Sequence, residues 1–333
     1  MKIAVIGAGS FGIALAHLLA GNGHDVSVWT RRAEQAAFLA EHHGNPDKLP
    51  GVTLPDMVSF TSSMEQVLDS ASCAVLVVPS VSIRETAASM RPYLAEGTLV
   101  VDCAKGIEEE TLKPLSRVID EELAQKRPRI AVLSGPSHAE EVGRNMPTAI
   151  VAASKSEATA REVQEIFMSP YFRVYTSGDM RGVELGGALK NVIALAAGVA
   201  DGLGYGDNTK AAMITRGIAE ITRLGVAMGA EESTFAGLTG IGDLIVTCAS
   251  MHSRNRRAGI LIGEGVPPKE ACEKIRMVVE GFYAAKAGRR LAQEYGVDMP
   301  IIEAVCRILF EDKPPAETVG ELMLRDRKAE QGG

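Results

Sequence analysis

A chain of 333 residues is long enough for two domains, and its 46% hydrophobic content is ample for packed cores. Its formal net charge of −7 argues against a nucleic-acid binder, whose affinity would rest on cationic contacts to phosphate, so any basic site must be local. No apolar run approaches the ~18 residues of a membrane span, and a first strand entered at Lys2 leaves no room for a signal peptide; no integral membrane segment and a cytoplasmic location are expected.

In chain order, the first element is the β-branched run Lys2-Ile3-Ala4-Val5-Ile6, which stops at Gly7-Ala8-Gly9-Ser10-Phe11-Gly12, a GxGxxG. An apolar helical face follows, closed by Gly21 and Gly23, and Val26-Ser27-Val28-Trp29 is the next strand. Strand, glycine turn, helix and strand together make the first βαβ unit of a dinucleotide fold. Gly7 permits the tight turn, Gly9 leaves the backbone open to a pyrophosphate, and Gly12 allows close helix–strand packing. The helix N-terminus then faces the anion.

An NAD-specific site usually carries an acid about 20 residues past the glycines, on the ribose 2′-hydroxyl. Here that place holds Thr30-Arg31-Arg32, and the only nearby acid, Asp25, lies at the wrong end of the strand. Two guanidiniums suit a 2′-phosphate, which favours NADPH with NADH possible; a solvated arginine pair is the plain alternative.

A helix over 33–43 leads into a Pro- and Gly-rich loop over 45–56, long enough to serve a site. Strands are expected at 58–60, 73–78, 98–102, 129–133, 148–152 and 172–175, alternating with helices at 63–70, 81–91, 109–125, 157–167 and a short one through Glu141. Such alternation means a doubly wound, Rossmann-like sheet, in which ligands bind beyond the carboxyl ends of the strands. Lys105 and the turn Ser134-Gly135-Pro136-Ser137 both leave strands at that edge and can face the cofactor cleft. A surface lysine and a helix cap at Ser137 are the alternatives.

From about Gly178 the strand pattern stops. Helices are expected over 179–202, 208–228, 231–235, 254–263, 268–276, 281–295, 301–310 and 315–324, giving an all-α C-terminal domain. The expected division is 1–178 for the dinucleotide-binding domain and 179–333 for an α-helical substrate domain. Residues after Asp326 read as a charged, frayed tail. The helical half offers faces for a homodimer. The five cysteines lack a CxxC pair, so reduced structural thiols and no metal site are expected.

Three clusters in the second half carry chemistry. Gly186, Gly187 and Ala194 lie three or four residues from Lys190, so something approaches that helix face closely. A lysine in a small-residue cleft suits proton transfer; a snorkelling lysine fits equally. Gly237-Leu238-Thr239-Gly240-Ile241-Gly242-Asp243 marks another close backbone approach, but no strand precedes it. Ser253, Arg254 and Asn255 offer a hydroxyl, a bidentate fork and an amide, a set suited to a small phosphate ester or, as readily, a capped helix with solvated arginines.

The runs Gly186-Gly187-Ala188-Leu189-Lys190-Asn191, Gly240-Ile241-Gly242-Asp243, Ser253-Arg254-Asn255-Arg256-Arg257 and Val279-Glu280-Gly281 closely resemble the bacterial type of NAD(P)-dependent glycerol-3-phosphate dehydrogenase. The resemblance spans essentially the whole chain, including Gly7-Ala8-Gly9-Ser10-Phe11-Gly12 and the Ser134–Ser137 turn. It implies reversible hydride transfer between NAD(P)H and dihydroxyacetone phosphate, giving sn-glycerol 3-phosphate for glycerophospholipid synthesis. By the same resemblance Lys190 is the acid/base, and Lys105, Gly135, Ser137, Asp243, Ser253, Arg254 and Asn255 contact substrate. Ser10, Phe11, Arg31, Arg32, Lys105, Ala139, Arg254, Val278 and Glu280 would contact cofactor. Asp243 would orient Lys190 or the substrate's terminal hydroxyl. Two other readings are a β-hydroxyacid or ketopantoate-type reductase, whose substrate carries a carboxylate, and a non-catalytic NADPH-sensing protein.

Overall fold

The computed structural model describes residues 1–327, 329 and 330; residues 328 and 331–333 of the expected tail lie outside the described residues. Eight strands form one sheet: β1 (Lys2–Ile6), β2 (Asp25–Trp29), β3 (Ser59–Thr61), β4 (Cys73–Leu76), β5 (Leu99–Asp102), β6 (Arg129–Ser134), β7 (Thr148–Ala153) and β8 (Phe172–Ser177). Their order is β3-β2-β1-β4-β5-β6-β7-β8, so the order reverses between β1 and β4. That switch point lies directly beyond the glycine turn, where open α/β sheets bind their ligands.

Successive side chains of β1 enter different cores. Ile3 and Val5 pack with the helix Ser10–Gly21 and its neighbours, whereas Ala4 and Ile6 pack on the opposite face with Ile83, Met90 and Val118. Burial on both faces explains why these strands read as continuous apolar runs rather than alternating ones.

Six of the seven strand pairings are parallel; β6 and β7 pair antiparallel. The helix between them, Ala139–Val142, has four residues, too few to carry the chain back along the sheet. The expected helix over 109–125 is also shorter, Leu115–Leu123. Pro114 caps it, because a proline cannot sit within a helix, and Glu108 upstream is held outside by a fork of bonds from Arg84 (2.7 Å each).

Beyond Ser177 the described residues form helices only. At their centre runs Met180–Gly202, capped by Asp179, whose carboxylate accepts from Gly182 N at 2.9 Å. By length and composition alone this helix could cross a membrane, yet its most apolar window is entirely buried inside the fold. Arg254–Gly263 crosses it at backbone contact. A methyl group at Gly198 would lie 2.1 Å from the Arg256 carbonyl oxygen, and one at Gly259 would lie 2.1 Å from that of Leu195. Arg256 fastens the same crossing, with Nε and a terminal nitrogen each 2.8 Å from Asp201 Oδ2.

Candidate active site

The glycine turn behaves as the spacing requires. Gly7 has φ +124°, and a Cβ there would stand 2.6 Å from the Val77 carbonyl oxygen; at Gly12 it would stand 1.9 Å from that of Gly7. Gly9 has nothing within 4 Å on that side. The first helical bond runs from Ile13 N to Gly9 O, so the amides of Ser10, Phe11 and Gly12 have no partner within the helix. An open glycine beside free helical N–H groups fits a dinucleotide's pyrophosphate.

Around the turn, Ser10 Oγ donates to the Lys48 carbonyl (2.6 Å), tying down the Pro- and Gly-rich loop, and Phe11 packs against the sheet's core. Arg31 and Arg32 are exposed just past β2. Gln35 was absent from the expected set, yet its amide donates to the Ala8 carbonyl (3.1 Å) while its oxygen accepts from Thr30 (2.8 Å) and Arg32 (3.3 Å). A glutamine early in the helix after β2 was the available signal.

Lys190 lies on the buried helix Met180–Gly202 with only 5% of its surface exposed. Its Nζ donates to Asp243 Oδ1 (2.7 Å) and to Thr247 Oγ1 (2.6 Å). The other carboxylate oxygen of Asp243 accepts from Lys105 Nζ (2.6 Å), which also donates to the Gly135 carbonyl (2.9 Å). One carboxylate therefore bridges two ammoniums, leaving one net positive charge at the sheet's carboxyl edge.

Small residues make this meeting possible. A Cβ at Gly186 would stand 2.7 Å from the Thr239 carbonyl, and one at Gly187 would stand 2.8 Å from Ser134 Oγ and 3.7 Å from Lys105. The Gly-rich run folds as a π-helical turn, Leu238–Gly242, leading into Asp243–Ala249. That second helix escaped sequence reading because its glycine-rich approach resembles a loop; with it came Thr247, one turn after Asp243.

Burial pushes the Lys190 ammonium down to about 8, with the Lys105 charge adding to the effect and the Asp243 carboxylate opposing it. Burial alone would raise Asp243, but the two lysines outweigh it and hold the carboxyl below its ordinary range. Lys190 is thus poised to exchange a proton near neutral pH while Asp243 stays ionised.

The remaining expected residues fall into two groups. Ser137 Oγ donates to the Gly135 carbonyl (3.0 Å), which places the turn beside Lys105, and Ala139 opens the short helix that follows. Asn255 Nδ2 donates to Asn191 Oδ1 (2.8 Å), and Asn255 Oδ1 accepts from Gly281 N (2.9 Å), so most of its amide is held within the protein. Ser253 Oγ accepts from Arg256 N (3.2 Å) as the helix cap, and Arg254 donates to the Val278 carbonyl (3.0 Å). Glu280 accepts from Ser80 N (3.1 Å) and from the Ser80 hydroxyl, joining the helical half to the loop after β4. Among the described residues, no group of three or more His, Cys, Asp or Glu side chains could hold a metal ion.

The fold and family define a class: a nicotinamide-dependent oxidoreductase, with a glycine turn at the switch point of a mainly parallel sheet and a buried lysine on the helical half. The models of the NAD-dependent glycerol-3-phosphate dehydrogenase N-terminus and C-terminus match residues 2–160 and 179–320, and the chain belongs to that family. It is 57% identical over 329 residues to a glycerol-3-phosphate dehydrogenase (NAD(P)+) of Agathobacter rectalis, covering 99% of this chain and 97% of that one. It is 55% identical over 330 residues to the Fusobacterium nucleatum protein of the same name, covering 99% and 98%. The crystal structure of glycerol-3-phosphate dehydrogenase from Coxiella burnetii superposes with a TM-score of 0.93 at 38% identity, over 97% of this chain and 99% of that one. A ketopantoate reductase from Ralstonia eutropha has a TM-score of 0.63 at 19% identity over 96% and 100%, a likeness of fold alone.

Proposed function

We propose that the chain reduces dihydroxyacetone phosphate to sn-glycerol 3-phosphate, reversibly, and supplies glycerophospholipid synthesis in the cytoplasm. The observation that carries this reading is the buried Lys190–Asp243–Lys105 bridge, a cationic proton donor set where a phosphorylated ketone would lie. Lys105, Gly135, Ser137, Asp243, Ser253, Arg254 and Asn255 hold the substrate, with the Arg254 guanidinium on its phosphate. Asn191, next to Lys190, bonds Asn255, next to Arg254, so the phosphate grip and the acid keep a fixed separation.

When bound, the reduced nicotinamide supplies a hydride to the ketone carbon. Lys190 stabilises the negative charge growing on the ketone oxygen and delivers a proton to it; in reverse, its neutral amine takes the hydroxyl proton. Asp243 orients Lys190. Gly7, Gly9, Ser10, Phe11 and Gly12 form the pyrophosphate cradle, with Arg31, Arg32, Lys105, Ala139, Arg254, Val278 and Glu280 completing the cofactor site. The paired guanidiniums favour NADPH over NADH. The working units are 1–178 for dinucleotide and 179–333 for substrate, and the exposed Met323 and Leu324 of the second support a homodimer.

The test is oxidation of NADPH and NADH followed by absorbance, with dihydroxyacetone phosphate and with dihydroxyacetone. The phosphate ester is expected to turn over at least about a hundredfold more efficiently, the effect of a few charge-assisted bonds. NADPH is expected to be preferred by the wild type but not by the Arg31→Ala/Arg32→Ala double variant. Turnover of carboxylate-bearing ketones instead, or of no ketone, would overturn the reading.

A further inference from the structure

His138 follows Ser137 directly and caps the helix Ala139–Val142, on the turn whose Gly135 carbonyl holds Lys105. Its ring lies beside the backbone of Val246, the residue before Thr247, whose hydroxyl holds Lys190. The Nε2 atom is buried and has no partner. The ring centroid is 5.9 Å from that of His252, which sits two residues before Arg254. One imidazole thus stands between the element that anchors the buried lysine and the segment that carries Arg254, with an unspent nitrogen. A buried polar atom without a partner is costly in a folded protein, and a ligand that completes it accounts for its retention.

From this position we infer that His138 is a further ligand of the substrate phosphate, its Nε2 donating a hydrogen bond to the anion. The inference rests on the substrate reading above. No sequence motif singles this histidine out, and the function as argued from Lys190 and Arg254 does not use it.

The charges around the ring say when that bond forms. Burial disfavours the imidazolium, and the Lys190 and Lys105 ammoniums add to this, against Glu140 and the Val246 backbone; Asp243 is already spent on both lysines. His252, half exposed, lies on the solvent side with its Nδ1 3.9 Å from Glu140. In the free site the neutral imidazole is therefore favoured, with its buried Nε2 lacking a partner. A phosphate dianion reverses the local sign: a proton from solvent adds to Nε2, and the new N–H points at a phosphate oxygen. Binding takes up a proton, so affinity for the ester falls as pH rises through the imidazole range of the complex.

The experiment measures KM and kcat of the wild type, His138→Phe and His138→Gln with dihydroxyacetone phosphate and with dihydroxyacetone across about pH 6 to 9. For the phosphate ester, His138→Phe is expected to raise KM about tenfold at the acid end, with the difference closing at the alkaline end and kcat changing less than about threefold. His138→Gln, which keeps an amide donor, recovers part of the affinity but none of the extra pH dependence. With dihydroxyacetone neither variant differs from wild type. Phosphate ionisation is common to all three proteins and cancels in the comparison.

The inference is overturned if both variants keep the wild-type KM and its pH profile, or if dihydroxyacetone suffers as much as its phosphate, which would make the ring a scaffold. If His138→Phe fails to fold, the glutamine variant decides the matter. A wild type that turns over neither compound overturns the substrate reading itself, an outcome distinct from the loss of His138's role alone.

Discussion

Lys190→Ala is expected to lower kcat about a thousandfold while leaving the dissociation constant for the dinucleotide within about twofold, because in the proposed reaction one buried side chain supplies both the proton and a positive charge to the reacting oxygen. Its separation from the glycine turn is what makes the two effects divisible. Lys190 sits on the helix Met180–Gly202, whereas the glycine turn proposed to cradle the pyrophosphate opens the helix Ser10–Gly21. Asp243 would keep Lys105 as a partner at 2.6 Å, so the variant does not strand a buried carboxylate. Fluorescence titration with reduced cofactor alongside steady-state rates checks the expectation. Equal loss of cofactor binding and turnover would point to a collapsed site.

Gly259→Ala is expected to be strongly destabilising to the helical half. Its Cβ would meet the Leu195 carbonyl oxygen at 2.1 Å and Val199 N at 2.8 Å, backbone atoms that no rotamer change relieves. The two helices must separate, and the cost is about 3 kcal/mol. Because the displaced helix begins at Arg254 and carries Asn255, KM for the phosphorylated substrate should rise in whatever folded fraction remains. Gly21→Ala is the control: a Cβ there has nothing within 4 Å, so removing a flexible glycine should be neutral or stabilising by up to about 1 kcal/mol. Urea midpoints of the two variants against wild type measure the contrast.

How much of this was legible in the sequence depended on range. Amphipathic spacing places the helices Glu157–Phe167 and Arg254–Gly263 to the residue, because their apolar faces and caps are local signals. The strand edge that carries Lys105 and the Gly135 turn follows equally from local apolar runs ending at proline or glycine. The antiparallel pairing of β6 with β7 does not, since strand direction depends on how a thirteen-residue connection folds in space. Glycines at 186 and 187 announced that something approaches Lys190, but not what: its partner lies 53 residues on, in a helix hidden behind a glycine-rich π turn. Ser253 and Asn255 show the opposite limit. Their residue types suit a phosphate, but residue type alone does not show that Ser253 Oγ also accepts from Arg256 N or that Asn255 also bridges Asn191 to Gly281.

The central claim is that Lys190 is the proton donor in reduction and the acceptor in oxidation, and the pH dependence of kcat/KM in both directions tests it most directly. Reduction needs the ammonium, so its kcat/KM should fall as pH rises through about 8; oxidation of the alcohol needs the neutral amine and should rise through the same value. Mirror-image profiles crossing near that pH are the expected result. Profiles that move together in both directions, or that show no inflection between about 7 and 9, would assign the proton to another group.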